Sequence, residues 1–175
     1  MSEASRVQVS RVEASRVEVN RIMDQMDRAM NGEAWHGPHL EELLGDVSAQ
    51  QAAAHPVAGA HSIWELVNHI RSWNEILAQR ASGRAVAVTE KQDWPPVTDP
   101  SPENWKRALD QMRASRAQLR SAVEKLNDAK LDDIAPGKDH SIYVMLHGGV
   151  QHDLYHAGQI AVLKKGAAVK ARSGS

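Results

Sequence analysis

Apolar residues recur at helical spacing in four separate stretches of this chain. Val19, Met23, Met26 and Met30 are separated by four, three and four positions, the stripe of an amphipathic helix, and Asn31 and Gly32 end it. Ile63, Leu66, Ile70, Trp73 and Leu77 form a second stripe. It opens on Ser62 and Glu65, a capping box in which hydroxyl and carboxylate satisfy the first free N–H groups, and Gly83 ends it. Trp105, Leu109, Met112, Leu119, Val123 and Leu126 form a third, which starts at Ser101 with Pro102 in the first helical position and runs to about Asn127. Arg116 is the one break in that seam. The fourth starts near Ser141 and places Met145, Gly149, His152, His156, Ile160 and Leu163 on one face. Lys164, Lys165 and Gly166 give it a favourable C-terminus.

The connections differ in character. Between Glu33 and Ala60 lie Gly37, Pro38, Gly45 and Pro56, with a short helical piece from His39 to Leu44 and a capping signature from Ser48 to Gln51. Ala85 to Pro100 contains Pro95, Pro96 and Pro100, an extended crossover rather than a tight turn. Gly148 and Gly149 would let a neighbouring backbone approach the fourth helix. With no convincing strand, the chain is expected to be all-α, a four-helix bundle with one long crossover connection. Ser-Arg-Val recurs at Ser5, Ser10 and Ser15, a five-residue period that forms no helical stripe. The expected organisation is therefore a frayed or partly helical leader over 1–18, one domain over 19–166 and a tail over 167–175.

Composition narrows the chemistry. The 175 residues suit a single domain with a real core, built from aliphatic side chains and five tryptophans because Phe is absent. No cysteine is present, which excludes disulfides, thiolate metal sites and a cysteine nucleophile, and leaves nine histidines as the candidate soft ligands. A formal charge of −1 with interspersed signs gives no footprint for nucleic acid or an anionic membrane. With no spanning run and no secretory signal, the expected location is the cytoplasm.

His152 and His156, four residues apart, project from nearly one helix face, so both can reach one ion. The nineteen residues after His156 hold no His, Asp, Glu or Cys, so a third ligand is expected upstream. The zinc-protease helix H-E-x-x-H has this spacing, but Asp153 stands in the Glu position and a downstream ligand is lacking. His69 is the better third donor, inside the apolar face of the second helix beside Trp73. Its bland reading is a core histidine hydrogen-bonded to Glu65. Three imidazoles from two helices would leave a fourth position open. Trp35, His36 and His39 could approach this pocket from the first connection. Glu65 or Asp153 could orient a ligand imidazole through its other nitrogen, and His36, His61, Glu65 or His147 could instead close the shell.

AWHGPHLEELL at Ala34 to Leu44, HSIWELVNHI at His61 to Ile70 and MLHGGVQHDLYHAGQIAVLKK at Met145 to Lys165 resemble the DinB/YfiT-like proteins. The resemblance covers roughly Val19 to Gly166. It implies a four-helix bundle, often a homodimer, with a metal triad at His69, His152 and His156 and zinc or nickel as the ion. Relatives with known chemistry use low-molecular-weight thiols such as bacillithiol or mycothiol. The function it implies is thus thiol-dependent S-transfer on a small-molecule substrate, the sulfur being brought by the cosubstrate. Metal-assisted hydrolysis is the second enzyme reading, and a non-catalytic metal-binding or structural bundle is the third.

Overall fold

The structure is a computed structural model that describes the backbone of residues 15–173 and the side chains of residues 15–166. Among the described residues there are eight helices: α1 (Val17–Met30), α2 (Leu40–Leu44), α3 (Ala49–Ala53), α4 (Ile63–Ala81), α5 (Glu90–Asp93), α6 (Pro102–Glu124), α7 (Asp128–Leu131) and α8 (Ile142–Ser173). The fold is all-α. Among the described residues there is no strand, only an isolated antiparallel bridge between Ile134 and Ser141. The four long helices are those the apolar stripes predict, and they pack on one another: α4 on α6 and α8, α1 on α6 and α8.

Local chemistry sets the ends. Ser48, Ser62 and Thr89 each close a capping box with a residue three positions on, starting α3, α4 and α5. α1 has no side-chain cap of its own. The Asp128 carboxylate, at the start of α7, accepts from the Glu18 and Val19 N–H groups at 3.2 and 3.0 Å instead, an anion at the positive end of the helix. α1 begins at Val17, two residues before the expected domain edge, and the first two Ser-Arg-Val copies lie outside the described residues.

The far end of α8 departs from expectation. Lys164, Lys165 and Gly166 do not end it; the backbone continues helical to Ser173. A glycine inside a helix costs about 1 kcal/mol relative to alanine, whereas Ala167, Ala168, Lys170 and Ala171 beyond it are good helix formers. A Cβ at Gly166 would lie 3.3 Å from the Pro56 ring, so this glycine serves a close approach. Gly149 does the same: a Cβ there would come within 2.8 Å of Leu77 Cδ1 on α4, while Gly148 faces open space.

The core forms two apolar clusters. One gathers Leu40, Trp64, Ile70, Trp105, Met112 and Ile160; the other Ile22, Met26, Leu77, Leu119, Leu146 and Val150. Along α8, His152, Asp153 and His156 fall between Val150 of one and Ala157 of the other. A buried polar layer occupies this junction. Arg116 of α6 pairs with Asp153 at 2.7 Å and donates to the Met26 carbonyl at 2.7 Å, and Asn74 donates to Ser115 Oγ at 3.3 Å. The break in the α6 seam is therefore a residue with a buried partner, as a buried charge requires.

Candidate metal centre

His69 points inward because position 69 falls on the apolar face of α4, and it is only 5% exposed. Its Nε2 lies 2.9 Å from His152 Nε2, which lies 3.1 Å from His156 Nε2. Three imidazoles from two helices thus converge on one point.

The outer nitrogens fix what the inner ones present. His69 Nδ1 donates to the Asp93 carbonyl at 2.6 Å, and His156 Nδ1 donates to the Gln159 side-chain carbonyl at 2.6 Å. Each acceptor places the proton on Nδ1 and leaves Nε2 as a bare lone pair. Two lone pairs therefore face His152 Nε2, which has at most one proton to share between them. Such a cluster suits a cation at its centre. A tetrahedral ion held at about 2.0–2.1 Å sets its ligand nitrogens about 3.3 Å apart, so slight outward movement of the rings accommodates it.

Protonation is opposed as well. Burial pushes the His152 imidazole down to about 3, with the neighbouring His156 and His69 adding to the effect. Burial likewise lowers His69 and His156 below the ordinary histidine range. All three are neutral near pH 7, the form in which imidazole binds a metal. His69, His152 and His156 form a group that can hold a metal ion.

The crossover supplies the rest of the surroundings. Asp93, at the end of α5, accepts from Trp73 Nε1 at 2.8 Å through its carboxylate while its carbonyl holds His69. The Ser72 hydroxyl donates to the Gln92 carbonyl, tying α5 to α4. Trp94 then stacks flat on His69, with ring centroids 3.8 Å apart, and its indole is 3.6 Å from the His61 ring. Pro95 and Pro96 follow it and favour an extended backbone, and the Pro95 carbonyl accepts from Asn68 Nδ2 of α4 at 3.4 Å.

The other sequence candidates are placed as follows. Glu65 closes the α4 capping box and bonds His55 at 3.1 Å; burial works against its charge, but these donors keep its carboxyl below the usual value. It makes no bond to His69, whose acceptor is Asp93. Asp153 is turned to Arg116 and not to an imidazole; burial pushes its carboxyl up, and the adjoining guanidinium opposes that shift. His39 caps α2, accepting from the Glu42 N–H at 3.1 Å, and Trp35 and His36 are exposed. His147 packs against Tyr143 with the two rings tilted, centroids 4.4 Å apart. The sequence pattern does not single out Asp93, Trp94 or Gln159. Gln159 had a signal in its spacing, three residues beyond His156 on the same helix face, and the α5 capping box was readable as Thr89 and Gln92.

An all-helical chain with a group of two buried histidines and one half-buried one is the class that fold and site define. A family model described as the DinB superfamily matches residues 34–160, a span holding all three histidines, and the chain belongs to that superfamily. No curated protein and no solved structure matches it. No described helix is long and apolar enough to cross a membrane.

Proposed function

We propose that this protein is a metal-dependent enzyme that uses His69, His152 and His156 as ligands and transfers the sulfur of a small thiol cosubstrate to an electrophile. The observation that carries the metal reading is the pair of bare Nε2 lone pairs, on His69 and His156, directed at His152 Nε2. Zinc and nickel both suit three imidazoles. When bound, such an ion supplies Lewis-acid stabilisation of a thiolate at neutral pH.

The chain's own groups do the positioning. Asp93 and Gln159 hold two of the rings in one tautomer and orientation. Trp94 covers His69 and keeps water from that side. A cavity of about 300 Å³ reaches His152 and gives a substrate room beside the triad. In the transfer, sulfur forms a bond to the electrophilic carbon as the leaving group departs with its bonding pair, and the thiol proton passes to solvent. Hydrolysis fits less well, because the carboxylates beside the triad are engaged: Asp153 by Arg116, and Asp93 by Trp73. A general base for water would need one of them free.

The test is loss of free thiol when metal-loaded protein is mixed with a panel of small thiols and alkylating electrophiles. Turnover that His69→Ala abolishes supports the reading. Hydrolysis of ester or amide substrates without any thiol requirement contradicts it.

A further inference from the structure

Among the described residues, two arginines of unlike fate lie in the interior. Arg116 has Asp153 for a counterion. Arg80, near the end of α4, is 2% exposed and has no carboxylate within ion-pairing distance among the described residues. Its Nη2 donates to the Val86 carbonyl at 3.1 Å, its guanidinium lies 5.9 Å from the Trp73 ring centroid, and its buried Nε has no partner. Arginine cannot escape by losing its proton, and a buried charge with an unmet donor costs free energy until an anion arrives.

Arg80 lines the cavity that also contains His152. Lys138, exposed on the loop before α8, lines it too, and no acidic side chain does. Its walls are Trp73, Leu77, Val144 and Met145, so the rest of the lining is chiefly apolar. We propose that this cavity selects a small organic acid: Arg80, assisted by Lys138, binds its carboxylate, and the apolar walls hold its body beside His152. The planar guanidinium fork matches a carboxylate. A cavity of about 300 Å³ with apolar walls favours a monocarboxylate over a strongly hydrated phosphate. The assignment deepens the proposed function by giving its substrate a charge and rests on that reading for the role of His152.

The test titrates zinc-loaded and metal-free protein calorimetrically with benzoate, benzamide and inorganic phosphate. Benzoate is expected to bind both forms about tenfold tighter than benzamide or phosphate, the worth of one charge-assisted hydrogen bond. Arg80→Gln is expected to weaken benzoate about tenfold with metal content unchanged. Lys138→Gln, at an exposed position that does not endanger folding, should weaken it by a smaller factor and flatten its salt dependence. Benzamide binding as well as benzoate, tighter binding of phosphate, or no binding of benzoate would each overturn the assignment. So would benzoate binding confined to the zinc-loaded form and indifferent to both substitutions, which is coordination to the ion. Metal content is read separately. A protein that takes no metal yet binds benzoate through Arg80 keeps the pocket and loses the metal centre.

Discussion

Arg116 and Asp153 meet at 2.7 Å in the interior, with side chains only 8% and 6% exposed, so the residue next to His152 is anchored to α6. Removing one member of such a pair strands the other. Arg116→Ala is expected to cost about 3–5 kcal/mol in urea unfolding, whereas the double change Arg116→Met with Asp153→Leu should cost far less. Equal losses in the two variants would contradict the pairing as the source of the effect.

Gln159 holds His156 by its outer nitrogen. Partners of this kind are worth roughly 10–100-fold in metal affinity, so Gln159→Ala should weaken binding by that order in a competitive chelator titration. Glu65→Gln should leave affinity near wild type, since its carboxylate serves the α4 cap and His55. The reverse ranking would return Glu65 to the role its sequence position suggested.

Acid should destabilise the metal-free protein through the triad. In the unfolded chain these histidines titrate near 6.5, whereas in the folded one His152 is held down to about 3 and His69 and His156 are also lowered. The unfolded state then binds more protons between those values, so stability is retained above about 6.5 and falls as pH drops toward about 3. Thermal midpoints across this range should decline less steeply in His152→Ala. A slope unchanged by that substitution would show that carboxylates elsewhere govern acid unfolding.

Two glycines of α8 should respond differently to alanine. Gly158 faces open space, and Gly158→Ala should stabilise by about 0.5–1 kcal/mol through helix propensity. At Gly149 a new Cβ meets Leu77 Cδ1 at 2.8 Å, so the buried Leu77 side chain must shift and Gly149→Ala should stabilise less than Gly158→Ala or not at all. Chemical denaturation of both variants checks the contrast.

The long helices are legible in the sequence because each carries apolar residues at helical spacing, broken on α6 only at Arg116, and the three histidines are legible because two share a helix face and the third interrupts an apolar one. The crossover itself is legible from its prolines, but its contacts with the triad are not. Nothing in Asp93 or Trp94 taken singly says that a backbone carbonyl will hold His69 or that an indole will lie on it, since both depend on where a proline-rich segment crosses α4. Asp153 misled for a related reason. Its place beside His152 suggested an imidazole, but consecutive helical residues point about 100° apart, and the buried Arg116 on α6 claimed it. Gly166 has the sequence position of a helix cap, but it marks contact with Pro56 inside a helix that continues to Ser173.

In the proposed centre three imidazoles hold one metal ion with a position left for substrate. Elemental analysis of protein purified without an affinity tag, joined to X-ray absorption at the metal edge, tests it most directly. The account predicts about one divalent ion per chain, bound by three imidazole nitrogens and one or two light oxygen donors, with occupancy lost in His152→Ala. An ion closed off by four protein ligands, or a chain that takes up no metal even after reconstitution, would contradict it.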